Sequence, residues 1–347
     1  MTLSTRELNR SLLARQGLLE RSRTPALEMV ERLVGMQAQV PENPYVAMWS
    51  RLEDFDPHEL SGLIAERSAV RAHAMRSTIH LLSARDCLAI QPLTQDVLIR
   101  AFGKPRREGL AGADPHEVAA AGLELLRERA LTRAELSPLL AERWPDAEPQ
   151  HLGYAVTTHA RLVHVPPRGL WPGGRRVAFA PTGDWLADHA PASMTVDDLI
   201  LRYLAGFGPA TVADARTWSG LTGLREVFER LRPRLVGFRD EQGRELFDVP
   251  GAPFPDPDTP APPRFLPEYD NVALSHDDRA RIVGPDWPGQ PPAGPRWIGS
   301  LLVDGFYRGR WRITDGELSV EGLEPTPEIE AEGKRLVDLV ALNREAR

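Results

Sequence analysis

Three times before residue 250 the same order recurs in this chain: capped segments with apolar residues at helical spacing, then two short extended runs. No other property narrows the fold as much, because helices followed by a small β-ribbon give the order of a winged helix-turn-helix unit. In the first unit Leu8, Leu12, Leu13 and Leu19 predict a helix over residues 4–19. Further helices are expected over 25–37 and 57–67, with extended segments in 70–82. In the second, 115–129 carries Val118, Leu125 and Leu126, Thr132 and Glu135 form a capping box, and 151–162 reads as a third helix. Strands at 162–165 and 177–180 then flank a Pro/Gly/Arg tip. The third opens at Thr195 with Asp198, continues through helices at 212–219 and 224–232, and ends in strands at 235–238 and 245–249. Residues 250–263 are too proline-rich for a regular element. Beyond them, 264–271, 298–303 and 306–313 read as strands, the last two across an Asp304-Gly305 turn, and 327–346 as a helix.

The expected class is therefore α+β: three tandem winged helix-turn-helix modules in a curved arrangement, plus a C-terminal β-rich region and a terminal helix. The divisions fall at 1–92, 93–190, 191–250 and 264–347. A length of 347 residues gives room for several such units. No apolar run approaches 18 residues and no N-terminal signal stands out, so a cytoplasmic protein without membrane contact is expected. The single Cys87 excludes an intrachain disulfide and a Cys-rich zinc site.

A net charge of −7 argues against nucleic acid as a partner unless positive charge is clustered, and here it is. All basic residues except Lys104 and Lys334 are arginine, the better phosphate fork. Arg168, Arg175 and Arg176 lie on the second tip and Arg308, Arg310 and Arg312 on the C-terminal hairpin. Taken singly, each group reads first as a solvated face; several along a modular chain point to phosphates.

The polar stretch with the most chemical content is Gln37-Ala38-Gln39. Gln37 follows Leu33 and Val34 at helical spacing and so projects from an apolar face, where an unpaired amide costs about 1–3 kcal/mol. Pro41 disfavours helix at Val40, so the helix should end near Gln39 and let the two carboxamides converge. The plainer alternative is a satisfied core amide and a helix-end cap. Phosphate-loop, zinc-protease and nucleophile-elbow patterns are all missing, and His73 and His80 do not form a metal spacing. Pattern alone stops at a tandem winged-helix, nucleic-acid-binding protein.

Further segments carry a resemblance. Gln37-Ala38-Gln39, Arg76-Ser77-Thr78-Ile79-His80-Leu81-Leu82, Phe207-Gly208-Pro209-Ala210-Thr211 and Trp218-Ser219-Gly220-Leu221 stand in order with Leu266-Pro267-Glu268-Tyr269-Asp270-Asn271, Leu274-Ser275-His276-Asp277-Asp278-Arg279 and Val303-Asp304-Gly305. Together they resemble the AlkZ-type winged-helix DNA glycosylases, bacterial enzymes that excise bulky N7-alkylguanines and unhook azinomycin-type interstrand cross-links. That family's active-site motif is Gln-hydrophobic-Gln, with a Gln-hydrophobic-Asp variant of broader range. The resemblance implies Gln37 and Gln39 as catalytic residues, Thr78 and His80 as pocket residues, and Arg76 as a DNA contact beside the arginine groups above. It further implies double-stranded DNA carrying N7-alkylguanine or cross-links as partner, a monomer, and no metal or organic cofactor. An N7-alkylated guanine is already cationic and leaves as a neutral base, so two neutral amides need only position water and stabilise the sugar cation. A non-enzymatic winged-helix regulator is the main alternative, and a drug-sequestering or scaffold protein without turnover a third.

Overall fold

Polar caps decide where many of the helices start. Ser4 with Glu7, Thr132 with Glu135, Thr195 with Asp198 and Thr211 with Asp214 close reciprocal capping boxes. Each pair satisfies backbone N–H groups that the helix itself leaves open.

The computed structural model describes residues 1–174, 176–284 and 297–345; Arg175 lies outside the described residues. The first group contains β1 (Thr2–Leu3), α1 (Thr5–Arg15), α2 (Ala26–Arg32), β2 (Met36–Gln37), α3 (Asn43–Arg51), α4 (Pro57–Ala65), β3 (Ala69–His73) and β4 (Ile79–Ser83). Helices α5 (Ala84–Arg100) and α6 (Gly103–Glu108) lead into α7 (Pro115–Glu128), β5 (Leu131–Thr132), α8 (Arg133–Ala141), α9 (Pro149–His159), β6 (Leu162–Val165), β7 (Ala178–Pro181) and α10 (Thr182–Trp185). Then come α11 (Val196–Phe207), α12 (Val212–Ser219), α13 (Leu224–Leu231), β8 (Val236–Asp240) and β9 (Glu245–Asp248). The C-terminal part holds β10 (Arg264–Pro267), α14 (Asn271–Leu274), β11 (Ile298–Val303), β12 (Phe306–Thr314), β13 (Glu317–Glu321) and α15 (Pro327–Glu345).

The first two groups share one six-stranded sheet, ordered β2-β4-β3-β6-β7-β5. Its seam is the antiparallel pairing of β3 with β6, Arg71 opposite His164 and Ala72 opposite Val163. The third group's β8–β9 hairpin takes β1 as a parallel neighbour, and β10 to β13 form an antiparallel meander. The apolar cores follow these joins. Leu12 of α1, Tyr203 and Phe207 of α11, Trp218 of α12 and Leu266 of β10 belong to one cluster, while Tyr45, Phe265, Trp311 and Leu336 belong to another.

Buried ion pairs lock the groups together. Arg15 of α1 meets Asp248 at 2.6 Å, and Arg51 of α3 meets Asp270 at 2.7 Å, both essentially without solvent. Arg6 and Arg10 of α1 both hold Asp304, which stands in the β11–β12 turn. Asp270 and Asp304, both in segments that carry the family resemblance, are therefore structural ties.

Several expectations need correction. Helix α2 stops at Arg32, well before Gln39. Val34 and Gly35 both take left-handed backbone (φ 52° and 87°). Their N–H groups close back on Glu31 O and Val30 O at 3.1 and 2.9 Å. That is a Schellman closure, hidden in the sequence because a β-branched valine fills the place glycine normally takes. Gly35 itself is required, since a Cβ there would stand 2.4 Å from Leu82 Cδ2. The 4–19 helix also ends early, at Arg15, with Gly17 left-handed (φ 66°). The strand expected over 264–271 ends at Pro267, followed by the short α14. Helices α3 and α5 and strand β13 were not anticipated, α5 because Pro92 sits inside it where proline ordinarily breaks a helix. The division expected at 92/93 falls within that helix.

Candidate active site

Because α2 ends early, Gln37 lies on strand β2 and Gln39 in the bend that follows it, neither on a helix. Met36 and Gln37 pair antiparallel with Leu81 and His80 of β4, and Ala38 N–H continues the contact to Ile79 O at 2.7 Å. The helix break expected between the two glutamines does not occur, because α2 has already ended before both of them. Gln37 is buried and Gln39 exposed.

Gln37 is tied to the turn between β3 and β4, and Gln39 to the first residue of β4. Arg76 Nη2 donates to Gln37 Oε1 at 2.9 Å, while Nη1 of the same guanidinium donates to Trp218 O at 2.6 Å. Ile79 N–H donates to Gln39 Oε1 at 3.4 Å. Arg76 and Ser77 both have left-handed backbone (φ 54° and 59°), a conformation that side-chain-bearing residues seldom adopt and that recurs at functional sites. Behind the segment, Arg71 Nη2 donates to Ala38 O at 2.7 Å. Asn271 spans Met36: its Nδ2 donates to Gly35 O at 2.8 Å and its Oδ1 accepts Gln37 N–H at 3.4 Å.

His80 stands directly across from Gln37 on β4, so the two share a face. Its Nδ1–H donates to Thr78 O at 3.0 Å. Burial, reinforced by the Arg76 charge, pushes its pKa down to about 3 and keeps the ring neutral. Thr78 Oγ donates to Met75 O at 3.2 Å within the turn. Burial also lowers the Arg76 guanidinium to about 10, still protonated at neutral pH. The two carboxamide oxygens accept from a guanidinium and a backbone N–H, and among the described residues no group of three His, Cys, Asp or Glu side chains stands where it would hold a metal.

The arginines are distributed differently. Arg168 is half-buried beyond β6, where its charge reaches Arg71 and His164. Arg176 is exposed and paired with Glu135 at 2.8 Å. Arg308, Arg310 and Arg312 alternate along β12 with buried Tyr307, Gly309 and Trp311, and β12 lies between β11 and β13. They occupy mid-strand positions on one face, and the adjacent turn is pinned to α1 through Asp304. Sequence reasoning did not assign Arg71, Trp218 or Asn271 to the site. The last two stand in the quoted segments, but only the folded chain brings Trp218 to Arg76 and Asn271 to Gln37.

With the site's geometry in hand, the chain's class is that of a DNA-processing enzyme. It belongs to the AlkZ-like DNA glycosylase family, whose pattern, described as DNA glycosylase AlkZ-like, matches residues 30–346. A protein of Streptomyces sahachiroi described as an interstrand DNA cross-link repair glycosylase is 28% identical over 357 residues, covering 95% of this chain and 92% of its own. The solved structure of Streptomyces sahachiroi DNA glycosylase AlkZ superposes with a TM-score of 0.71 at 23% identity, covering 99% of this chain and 97% of that one. At that identity the likeness shows a shared fold. Membership makes DNA the substrate class and does not favour the regulator alternative. No helix among the described residues is long and apolar enough to cross a membrane.

Proposed function

We propose that this enzyme hydrolyses the N-glycosidic bond of bulky cationic N7-alkylguanines in double-stranded DNA, including the unhooking of azinomycin-type interstrand cross-links. The observation that carries the reading is a pair of neutral carboxamides, Gln37 and Gln39, whose oxygens accept from one guanidinium and one backbone N–H. Such a site offers no strong general acid or base. It suits a base that is already a cation: the C1′–N9 electron pair passes to the purine, neutral N7-alkylguanine leaves, and water adds to the sugar cation with loss of a proton to solvent. The glutamines orient that water and the sugar. Monofunctional chemistry follows from the same picture, since the two lysines belong to α6 and α15 and not to the site segments. Thr78 and His80 line the pocket.

In this reading each helical group with its hairpin is a winged helix-turn-helix unit, three in a curved row acting as a monomer in the cytoplasm. Arg168, Arg175, Arg176, Arg308, Arg310 and Arg312 contact phosphates, which position DNA without reading its sequence. A lesion tied to the opposite strand cannot be rotated freely from the duplex, and an open curved scaffold reaches it in place.

The test is a duplex carrying one N7-alkylguanine, incubated with protein in metal chelator and scored for alkali-labile abasic sites. Gln37→Ala with Gln39→Ala is expected to slow release by roughly 10²–10³-fold, the scale of losing a preorganised polar contact, while duplex binding persists. Binding without base release by the wild type would refute the reading.

A further inference from the structure

We infer that Arg76 is a positioning residue for base release, acting through Gln37 so that the two glutamines take different parts: Gln37 donates and Gln39 accepts. The inference rests on the glycosylase reading above. A guanidinium has donors only, so the Gln37 oxygen must be the atom facing it at 2.9 Å, and the orientation of the amide is thereby settled. The Gln37 amino group is then the end of the carboxamide that Arg76 does not hold, and it can only donate.

The guanidinium is well anchored for this role. Its other arm holds Trp218 O, a carbonyl in the last turn of α12 that the helix leaves open. Ser77 Oγ, next in the chain, donates to Val97 O of α5 at 3.0 Å. Gly220, the left-handed end of α12, seats closely on the turn: a Cβ there would lie 3.4 Å from Arg76 Cα and 2.8 Å from Val97 Cγ1. Two elements, α12 and α5, thus fix the turn that carries the cation, and the cation fixes one amide. Gln39 has no such clamp; its oxygen accepts the long 3.4 Å bond from Ile79 N–H and keeps a lone pair free to orient a water hydrogen. The resemblance implies Arg76 as a DNA contact, whereas both of its Nη groups are bonded to protein.

The experiment is a double-mutant cycle of Arg76→Met and Gln37→Ala, read by single-turnover base release and by duplex affinity across a salt series. Arg76→Met is expected to slow release by roughly 10- to 100-fold, the scale of a misplaced catalytic group, with affinity and salt slope unchanged. In the Gln37→Ala background it is expected to cost nothing further. Arg76→Lys, which keeps the charge but not the planar fork, should recover part of the rate and serves if the methionine variant does not fold. Equal losses in both backgrounds would overturn the inference, and so would weakened binding with a shallower salt slope and a normal rate once bound. Independently of turnover, the Gln37 side-chain amide NMR signal, assigned by its loss in Gln37→Ala, should report one fixed conformer that Arg76→Met averages. A wild type that releases no base would sink the glycosylase reading, and this signal would still decide the positioning claim. An unchanged signal would reject it.

Discussion

The shared sheet joins two hairpins of the same order and very different finish. The β3–β4 turn, residues 74–78, is short and clamped from several sides: Arg76 to Gln37 and Trp218, Ser77 to Val97, with Asn271 closing on the adjoining β2. The β6–β7 connection, residues 166–177, is long and rests on α3 and α4 through Tyr45 Oη on Gly169 O and Ser61 Oγ accepting from Trp171 N–H. Its Arg176 is exposed and spends its charge on Glu135. The difference is that later segments of the chain cover the first hairpin, the one beside the candidate site, and leave the tip arginine of the second exposed. At the first hairpin those covers are the end of α12 and α14.

The sharpest way to break the contrast is to loosen the cover. Asp270 precedes Asn271 and holds buried Arg51 at 2.7 Å. Asp270→Ala leaves that guanidinium without its carboxylate and is expected to cost about 3–5 kcal/mol in urea unfolding. A loss below about 1 kcal/mol would mean the cover is held otherwise.

Next in size is a pH effect. His80, pushed down to about 3 by burial, binds fewer protons folded than unfolded below its ordinary value of about 6.5. Its contribution is complete above that value and is lost as pH falls. At pH 5 it should remove about 2 kcal/mol relative to pH 7, compared with His80→Gln. Base release, by contrast, should stay flat between pH 6 and 8, because His80 and Arg76 at about 3 and 10 titrate outside that window. A sigmoid rate profile centred there would place an unassigned acid or base in the site.

The smallest effect belongs to the second hairpin. Arg176→Ala should change stability by less than about 1 kcal/mol, as exposed pairs do. It should reduce the salt slope of duplex binding by about 1 while release from bound DNA is unchanged. A slower bound-state rate would show that the outer hairpin takes part in chemistry.

Local signals were the legible part of the fold. Capping boxes at Thr132 and Thr195, prolines at helix starts and the Asp304-Gly305 turn sit where sequence places them. Contrary local signals hid the rest: Pro92 inside α5, and Val34 in a left-handed position that ends α2. At the candidate site, sequence singled out Gln37, Gln39, Arg76, Thr78 and His80 but not their bonds. The partners Trp218 and Asn271 lie roughly 140 and 230 residues away along the chain, beyond the reach of any local pattern.

Asn271 has one more consequence. Strand β2 lies at the border of the six-stranded sheet, and a border strand presents unpaired backbone to any extended chain that meets it. By taking Gly35 O and Gln37 N–H, the groups on either side of Met36, the Asn271 carboxamide imitates the peptide unit of a neighbouring strand. One side chain thereby closes the border against recruitment of a foreign strand, and protects against aggregation the same two-residue strand that presents Gln37.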